Sequence, residues 1–403
     1  MLTFSYTARD QATNKIVKST IQADSEGAAA KLMMSHNLMP IDIKAEGQST
    51  GLIGAIKNRS STKDRVIFTR QLATLINAGL PLTQSLHTVQ AQTKNKHLQA
   101  IIQDIISRVE GGSALADAFA RHPKEFNELF IALVAAGEVS GTLDASLERV
   151  ADQQEKDAEI IAKIKGAMMY PIIVLIVMMG VVVFMMMTLL PQVEMLYSDT
   201  GQKLPVLTSV LLSIVNFIKK FWFIVPIPIA IMIFFSFKWA KSGPGREVVD
   251  KLKMRAPMIG PLFMKMYMAR FARTGATLIA SGVPLLQVLG ITANAVNNVH
   301  IARAIHAASD KVKGGKSLAK TLEGDENFLD LVPNMLSIGE QSGATEKMMK
   351  KTADYYEKEV DDQIKTISTI IEPLMMIVMG VVALIIVAAV LLPVYTLSGD
   401  SLV

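Results

Sequence analysis

The sequence predicts a mainly α-helical membrane protein. It would have two duplicated cytoplasmic antiparallel helical bundles, three transmembrane helices and a small N-terminal α/β module. Three observations carry this prediction. Half of the 403 residues are apolar and only 19% are charged, against roughly 25% in soluble domains. Long uncharged runs recur along the chain. One polar stretch, together with the uncharged run that follows it, is written twice.

Residues 1–46 come first. FSYTARD, KIVKSTIQA and PIDIKA read as strands and Ser25 to His36 as a helix, which gives the small α/β module. No basic segment followed by an apolar core opens the chain, so no cleaved signal is expected and the module stays in the cytoplasm. Residues 47–62, rich in glycine and serine, read as a flexible linker.

Residues 63–165 form the first polar helical domain. In the uncharged run 166–193, the 28 residues exceed the roughly 20 that an apolar helix needs to cross a bilayer. Residues 194–220 read as an external loop with an interfacial helix. Residues 221–237 are a shorter span bent at Pro226 and Pro228, and 238–372 a basic connector and the second polar domain. A third span covers 373–395, and 396–403 form an external tail. Lys163 and Lys165 precede the first span, while Lys238, Lys241, Arg246, Lys251, Lys253 and Arg255 follow the second. That bias places the amino terminus inside and the tail outside.

The duplication is explicit. FTRQLATLINAGLPLTQSL (68–86) and FARTGATLIASGVPLLQVL (271–289) agree at 11 of 19 positions with an offset of 203. After a one-residue gap, Glu138 aligns with Glu340 and Pro171 with Pro373 at an offset of 202. Phe68, Leu72, Leu75 and Ile76 fall on one face of a helix, as do Phe271, Gly275, Leu278 and Ile279. Gly79 and Gly282 end that helix, and Pro81 and Pro284 begin the next. About five or six short helices per copy follow from these punctuation marks. Two copies in one orientation require a return span between them, which is the role left for 221–237.

Several chemistries are disfavoured. The chain has no cysteine, and its six histidines are scattered without metal-ligand spacing. No dense basic block with aromatics points to nucleic acid, and no catalytic residue, metal site or cofactor is expected. DKVKGGKS (310–317) ends like a phosphate-binding loop but lacks its first glycine and a preceding strand. The many methionines of the spans read as adaptable packing. The spans carry no Asp, Glu, Lys, Arg or His, which argues against a transporter or channel subunit, the alternative function.

The paired FTRQLATLINAGLPL and FARTGATLIASGVPL segments, the two GExSG turns, the YP and EP span openings and the two LLP exits together resemble one family. It is the GspF/PilC-type inner-membrane platform proteins of type II secretion and type IV pilus assembly systems. The resemblance implies a non-enzymatic homo-oligomeric scaffold in the bacterial cytoplasmic (inner) membrane. It implies coupling of a cytoplasmic assembly ATPase to extraction of pilin or pseudopilin subunits, with other inner-membrane assembly proteins and membrane lipid as further partners. Thr274 and Gly275 depart from the Gln71 and Leu72 of the first copy, so the copies would bind partners unequally.

Site residues follow from the repeat. Gly137, Glu138, Gly141 and their counterparts Gly339, Glu340, Gly343 form the GExSG turns, with Ser140, Thr142, Ser342 or Thr345 available to cap the next helix. Whether the glutamates shape the turn or offer a carboxylate to a partner or a cation stays open. For Arg70 and Arg273, helix pairing and partner contact are both open. Glu148, Asp152, Glu155, Asp157, Glu159, Glu357, Glu359, Asp361 and Asp362 form either a solvated face or a docking face. Pro171 and Pro373 set the angle of membrane entry.

Overall fold

The computed structural model describes residues 2–10, 16–23, 32–34, 38–45, 60–200, 206–221 and 226–399. They fall into two compact units, one drawn from Met1–Arg65 and Gln90–Asp104, the other from Val66–Val89 and Ile105–Val403.

In the first unit, strands β1 (Leu2–Asp10), β2 (Ile16–Ala23) and β3 (Leu38–Ala45) form an antiparallel sheet of order β2-β1-β3. Leu2 pairs with Ala23 and Phe4 with Ala45, and the register shifts between Thr7 and Ala8. Pro40 lies on the edge strand β3, beside the register shift, the kind of position to which proline in a sheet is confined. The helix expected at 25–36 falls outside the described residues except for a helical piece at 32–34, and most of the linker lies outside them too. Ser61 and Asp64 form a capping box: the Asp64 amide donates to Ser61 Oγ at 3.1 Å and the Ser61 amide to Asp64 Oδ2 at 3.0 Å.

The helices carry the duplication in three dimensions, most of them in the second unit. The first copy runs α1 (Thr62–Asn77), α2 (Leu82–Gln92), α3 (Lys96–Glu110), α4 (Leu115–Ala120), α5 (Glu128–Ser140) and α6 (Leu143–Thr200). Three connecting helices follow: α7 (Val206–Phe221), α8 (Pro226–Ala240) and α9 (Gly243–Arg255). The second copy then runs α10 (Gly260–Ala280), α11 (Leu285–Val296), α12 (Val299–Lys313), α13 (Leu318–Leu322), α14 (Leu331–Ser342) and α15 (Thr345–Gly399). Helix by helix, α10 to α15 repeat α1 to α6.

The cores use equivalent positions with different side chains. Phe68, Phe119, Phe126 and Phe130 interlock in the first copy, with ring centroids 4.6 Å apart for Phe119–Phe126 and 4.7 Å for Phe119–Phe130. Such edge-on pairs contribute about 0.5–1.5 kcal/mol each beyond area burial. In the second copy Phe271 and Phe328 meet edge-on at 5.2 Å, among Leu322, Val332 and Leu336. The Leu72 to Gly275 change has a packing reason as well. A methyl on Gly275 would lie 2.2 Å from Met349 Cε, so the methionine occupies the space beside the glycine. Buried Leu72 and Leu147 stand at the equivalent positions of the first copy.

Helices α6 and α15 hold 58 and 55 residues and stay continuous through Pro171, Pro191, Pro373 and Pro393. At 1.5 Å per residue each is roughly 85 Å long, far more than the roughly 30 Å of a bilayer core. They are the two helices, among the described residues, long and apolar enough to cross a membrane. α6 runs past residue 193, the expected end of the first span, to Thr200. α7 packs against both long helices: Leu212 and Val215 lie against Met186, and the Thr208 hydroxyl donates to the Ala389 carbonyl at 3.2 Å.

Candidate functional site

Each bundle passes into its long helix through a GExSG joint. α5 and α14 carry the motif in their last turns and end on Gly141 (φ 72°) and Gly343 (φ 65°), a left-handed geometry in which a side chain is strained. The first glycine of each motif serves close approach. A methyl on Gly137 would fall 2.5 Å from Ser146 Oγ, and one on Gly339 2.8 Å from Thr345 Cα. The start of α6 thus rests against the end of α5, and the start of α15 against the end of α14.

The glutamate of each motif reaches back to a different helix. Glu138 accepts the Leu115 amide at 2.8 Å and the Ala116 amide at 3.1 Å. Glu340 accepts the Leu318 amide at 2.7 Å and the Ala319 amide at 3.4 Å, and the Ser317 hydroxyl donates to it as well. These amides open α4 and α13 and have no partner within their own helix. The carboxylate satisfies them and meets the positive end of the helix dipole. The same geometry decides the DKVKGGKS motif. Its helix start is occupied by the carboxylate of Glu340, which would repel a phosphate, and α12 precedes it instead of a strand.

The hydroxyls do not cap forward as the sequence suggests. Ser140 donates to the Ala136 carbonyl at 2.7 Å and Ser342 to the Ile338 carbonyl at 2.6 Å. Both close the helix just ended, because the left-handed glycine after each turns the chain away. Upstream, Gly79 (φ 83°) and Gly282 (φ 77°) close α1 and α10. The Leu80 and Val283 amides return to the Leu75 and Leu278 carbonyls at 3.1 Å, and the Pro81 and Pro284 carbonyls accept the Ser85 and Val288 amides at 2.9 Å, the first bonds of the α2 and α11 ladders.

Arg70 and Arg273 anchor the long helices to the bundles. Arg70 Nε donates to Glu155 at 2.7 Å, and its terminal nitrogens lie 2.5 Å from Glu148 and Asp152. Arg273 Nε donates to Glu357 at 2.8 Å and its Nη2 to Asp354. The clusters differ at one place: Lys350 stands where the first copy has Glu148. Hydrogen bonding from Arg70 holds the Glu155 carboxyl below its ordinary value of 4.5, and the Arg70 guanidinium is raised above its own, first by Glu155. Burial works against the charge of Arg273, yet Glu357 and Asp354 carry its pKa above normal.

The remaining carboxylates of the candidate face are also paired within the chain. Asp157 faces Arg270 at 3.5 Å, Glu159 faces Lys163 at 2.9 Å, Glu359 faces Lys265 at 2.8 Å and Asp362 faces Lys365 at 3.2 Å. Asp361 meets Lys163 at 2.7 Å, which ties α15 to α6. Just above, Ile160, Ile164 and Ala167 pack with Leu262, Val360, Ile364 and Ile367, forming an apolar neck directly before Pro171 and Pro373. Below the neck a cleft of about 670 Å³ opens between the copies, lined by Arg149, Asp152, Gln153, Arg273, Lys350 and Asp354 among others. Arg149 spans part of it, donating to the Ala280 carbonyl at 3.0 Å.

Two outcomes are expected. Glu138→Ala strips two amides of their acceptor and should cost about 1–3 kcal/mol, read by denaturant unfolding of the detergent-solubilised chain. Unchanged stability would contradict the capping role. For the Arg70 cluster, the folded Glu155 pKa is depressed, so the folded state binds fewer protons. Its contribution is fully present above pH 4.5 and is lost as pH falls through the lower folded value. Arg70→Met should flatten that acid limb of the unfolding profile, and an unaltered limb would rule the cluster out.

The chain's relatives match this architecture. The profile described as type II secretion system (T2SS), protein F matches residues 68–191 and again 271–393, and that of the protein F N-terminal domain matches 1–44. Over 407 residues the chain is 37% identical to the type IV pilus assembly protein PilC of Thermus thermophilus, covering 99% of each. It is 37% identical over 382 residues to the PilC of Myxococcus xanthus, covering 93% of this chain and 90% of that one. The type II secretion system protein F of Pseudomonas aeruginosa is 34% identical over 405 residues, with 99% of each covered. Two matches in tandem over both helical copies, and full-length identity to proteins of both machines, place this chain in the type II secretion system protein F family, which includes the PilC proteins of type IV pilus assembly.

Proposed function

We propose that this chain is the inner-membrane platform of a type IV pilus or type II secretion machine, coupling a cytoplasmic assembly ATPase to the extraction of pilins or pseudopilins. The observation that carries the reading is the unbroken passage of α6 and α15 from the helical bundles into apolar segments. A displacement applied to a bundle by an ATPase would tilt or turn the helix as one body, because no loop intervenes to absorb it. The GExSG joints and the Arg70 and Arg273 clusters fix each bundle to its helix on the lever side.

In this reading the chain crosses the membrane three times, with α8 as the return between α6 and α15. The 15 residues of α8 are short for a span, and thinning of the bilayer or tilt of its neighbours accommodates the mismatch. The amino terminus with its sheet, completed as a small α/β module, is cytoplasmic, and the carboxyl terminus is external. The chain acts as a homo-oligomer without catalysis of its own, and the exposed rims of the clusters around Arg70 and Arg273 are where partners engage.

The relatives' names support both machines, and a deletion strain separates them. Deletion should abolish surface filaments or protein export while pilin or pseudopilin levels stay normal, with rescue by the chain supplied in trans. Normal filaments and normal export in the deletion would refute the platform role.

A further inference from the structure

The segment between α8 and α10 carries a surface that the platform role does not use. α9 begins hard against the end of α8: a methyl on Gly245 would lie 1.9 Å from the Trp239 carbonyl oxygen. Its far end leads into α10, where Leu262 packs with Ile164, Ala167 and Ile371 in the neck directly before Pro171 and Pro373. Both ends of the segment 241–261 are therefore held at the level where the chain meets the membrane, given the reading that α8 crosses it.

Between those ends α9 has two unlike faces. On the inner face, buried Asp250 accepts the Val299 amide at 3.1 Å and tethers α9 to α12, and Gly245 is buried beside it. On the outer face Val248, Lys251, Leu252 and Arg255 recur at i, i+3, i+4 and i+7. Leu252 is 66% exposed and Val248 54%. The turn that follows presents Met258 and Ile259, 44% and 42% exposed, with Met258 held at φ 66°. Four large apolar side chains in so short a stretch are costly in water, at about 25 cal/mol per Å² left uncovered. The charges around them are basic. Lys241 and Lys251 have no partner among the described residues, and Arg255 faces only Glu326, at 3.5 Å.

We propose that α9 and the Pro257–Ile259 turn lie in the plane of the inner leaflet. Val248, Leu252, Met258 and Ile259 would enter the acyl boundary while Lys241, Lys251 and Arg255 contact anionic lipid headgroups. An apolar stripe edged with basic residues is the chemistry of an interfacial helix, and each cation gains from the negative surface. The occupant is a lipid surface because the segment joins a proposed span at one end and the neck at the other. Such a seat fixes the height of the second bundle against the membrane, so that a push on it is not dissipated in rocking.

The chain has no cysteine, so single-cysteine variants can be labelled cleanly in the full-length protein. Val248→Cys, Leu252→Cys and Ile259→Cys would carry an environment-sensitive fluorophore in vesicles of phosphatidylcholine and phosphatidylglycerol containing a headgroup-proximal lipid quencher. All three labels should be quenched, whereas a label at Val139→Cys, on the distal GExSG joint, should not. Quenching should fall in Lys251→Glu/Arg255→Glu and in vesicles of phosphatidylcholine alone. In oriented membrane vesicles, an impermeant thiol reagent should reach Asn216→Cys and Lys241→Cys from opposite sides. Same-side labelling would sink the three-span reading and this proposal with it. Opposite-side labelling with unquenched probes, or quenching indifferent to charge reversal, would overturn this proposal alone.

Discussion

A backbone inside a bilayer must satisfy every amide and carbonyl itself, and that constraint would govern the apolar segments of α6 and α15, the two helices among the described residues long and apolar enough to cross one. Once helical in the apolar segment, each keeps its hydrogen-bond ladder going into the polar segment, because only a strong local signal would break it. No glycine or proline interrupts the chain between Leu143 and Lys165, or between Thr345 and Glu372. Pro171 and Pro373 remove single bonds without ending the helix. Each long helix consequently has no loop between its polar and its apolar part, and the nearest change of chain direction on the bundle side is the GExSG turn.

Those turns are made stiff by side chains reaching across sequence. Glu138 and Glu340 bind the turn to the start of α4 or α13, while Gly137 and Gly339 let the long helix close onto α5 or α14. The arginine clusters then fasten the next turns of α6 and α15 to α1 and α10. Individually exposed ion pairs are worth only about 0–1 kcal/mol. Arg70 and Arg273 gain more by engaging several carboxylates with planar, multiple hydrogen bonds. The neck of Ile160, Ile164, Val360 and Ile364, closed by Lys163 and Asp361, joins both long helices before their apolar segments.

Much of this was legible in the sequence because its signals are local. Glycine and proline at Gly79, Pro81, Gly282 and Pro284 mark the helix ends found in the structure, and the 203-residue offset aligns α2 with α11 and α3 with α12. What escaped is non-local. The partners of Arg70 lie 78, 82 and 85 residues away, so the pairing of the acidic run on α6 with an arginine of α1 is not visible in the run itself, which reads as a solvated or docking face. A signal was present: the Arg70–Glu155 and Arg273–Glu357 separations of 85 and 84 residues recur with the duplication. The bond of Glu138 to α4 depends on how α4 packs, which periodicity does not report. The role of α7 against the spans was hidden for the same reason, since an apolar run of modest length looks alike on a surface or between helices.

The central claim is that rigid continuity between bundle and membrane helix transmits motion. It is tested most directly by inserting a short glycine run after Lys165 in α6, in the full chain, and counting surface filaments or exported protein in a deletion strain. The account predicts wild-type amounts of chain in the membrane with assembly lost, because the lever is cut while both ends stay folded. Wild-type filaments or export from the glycine-inserted chain would contradict it.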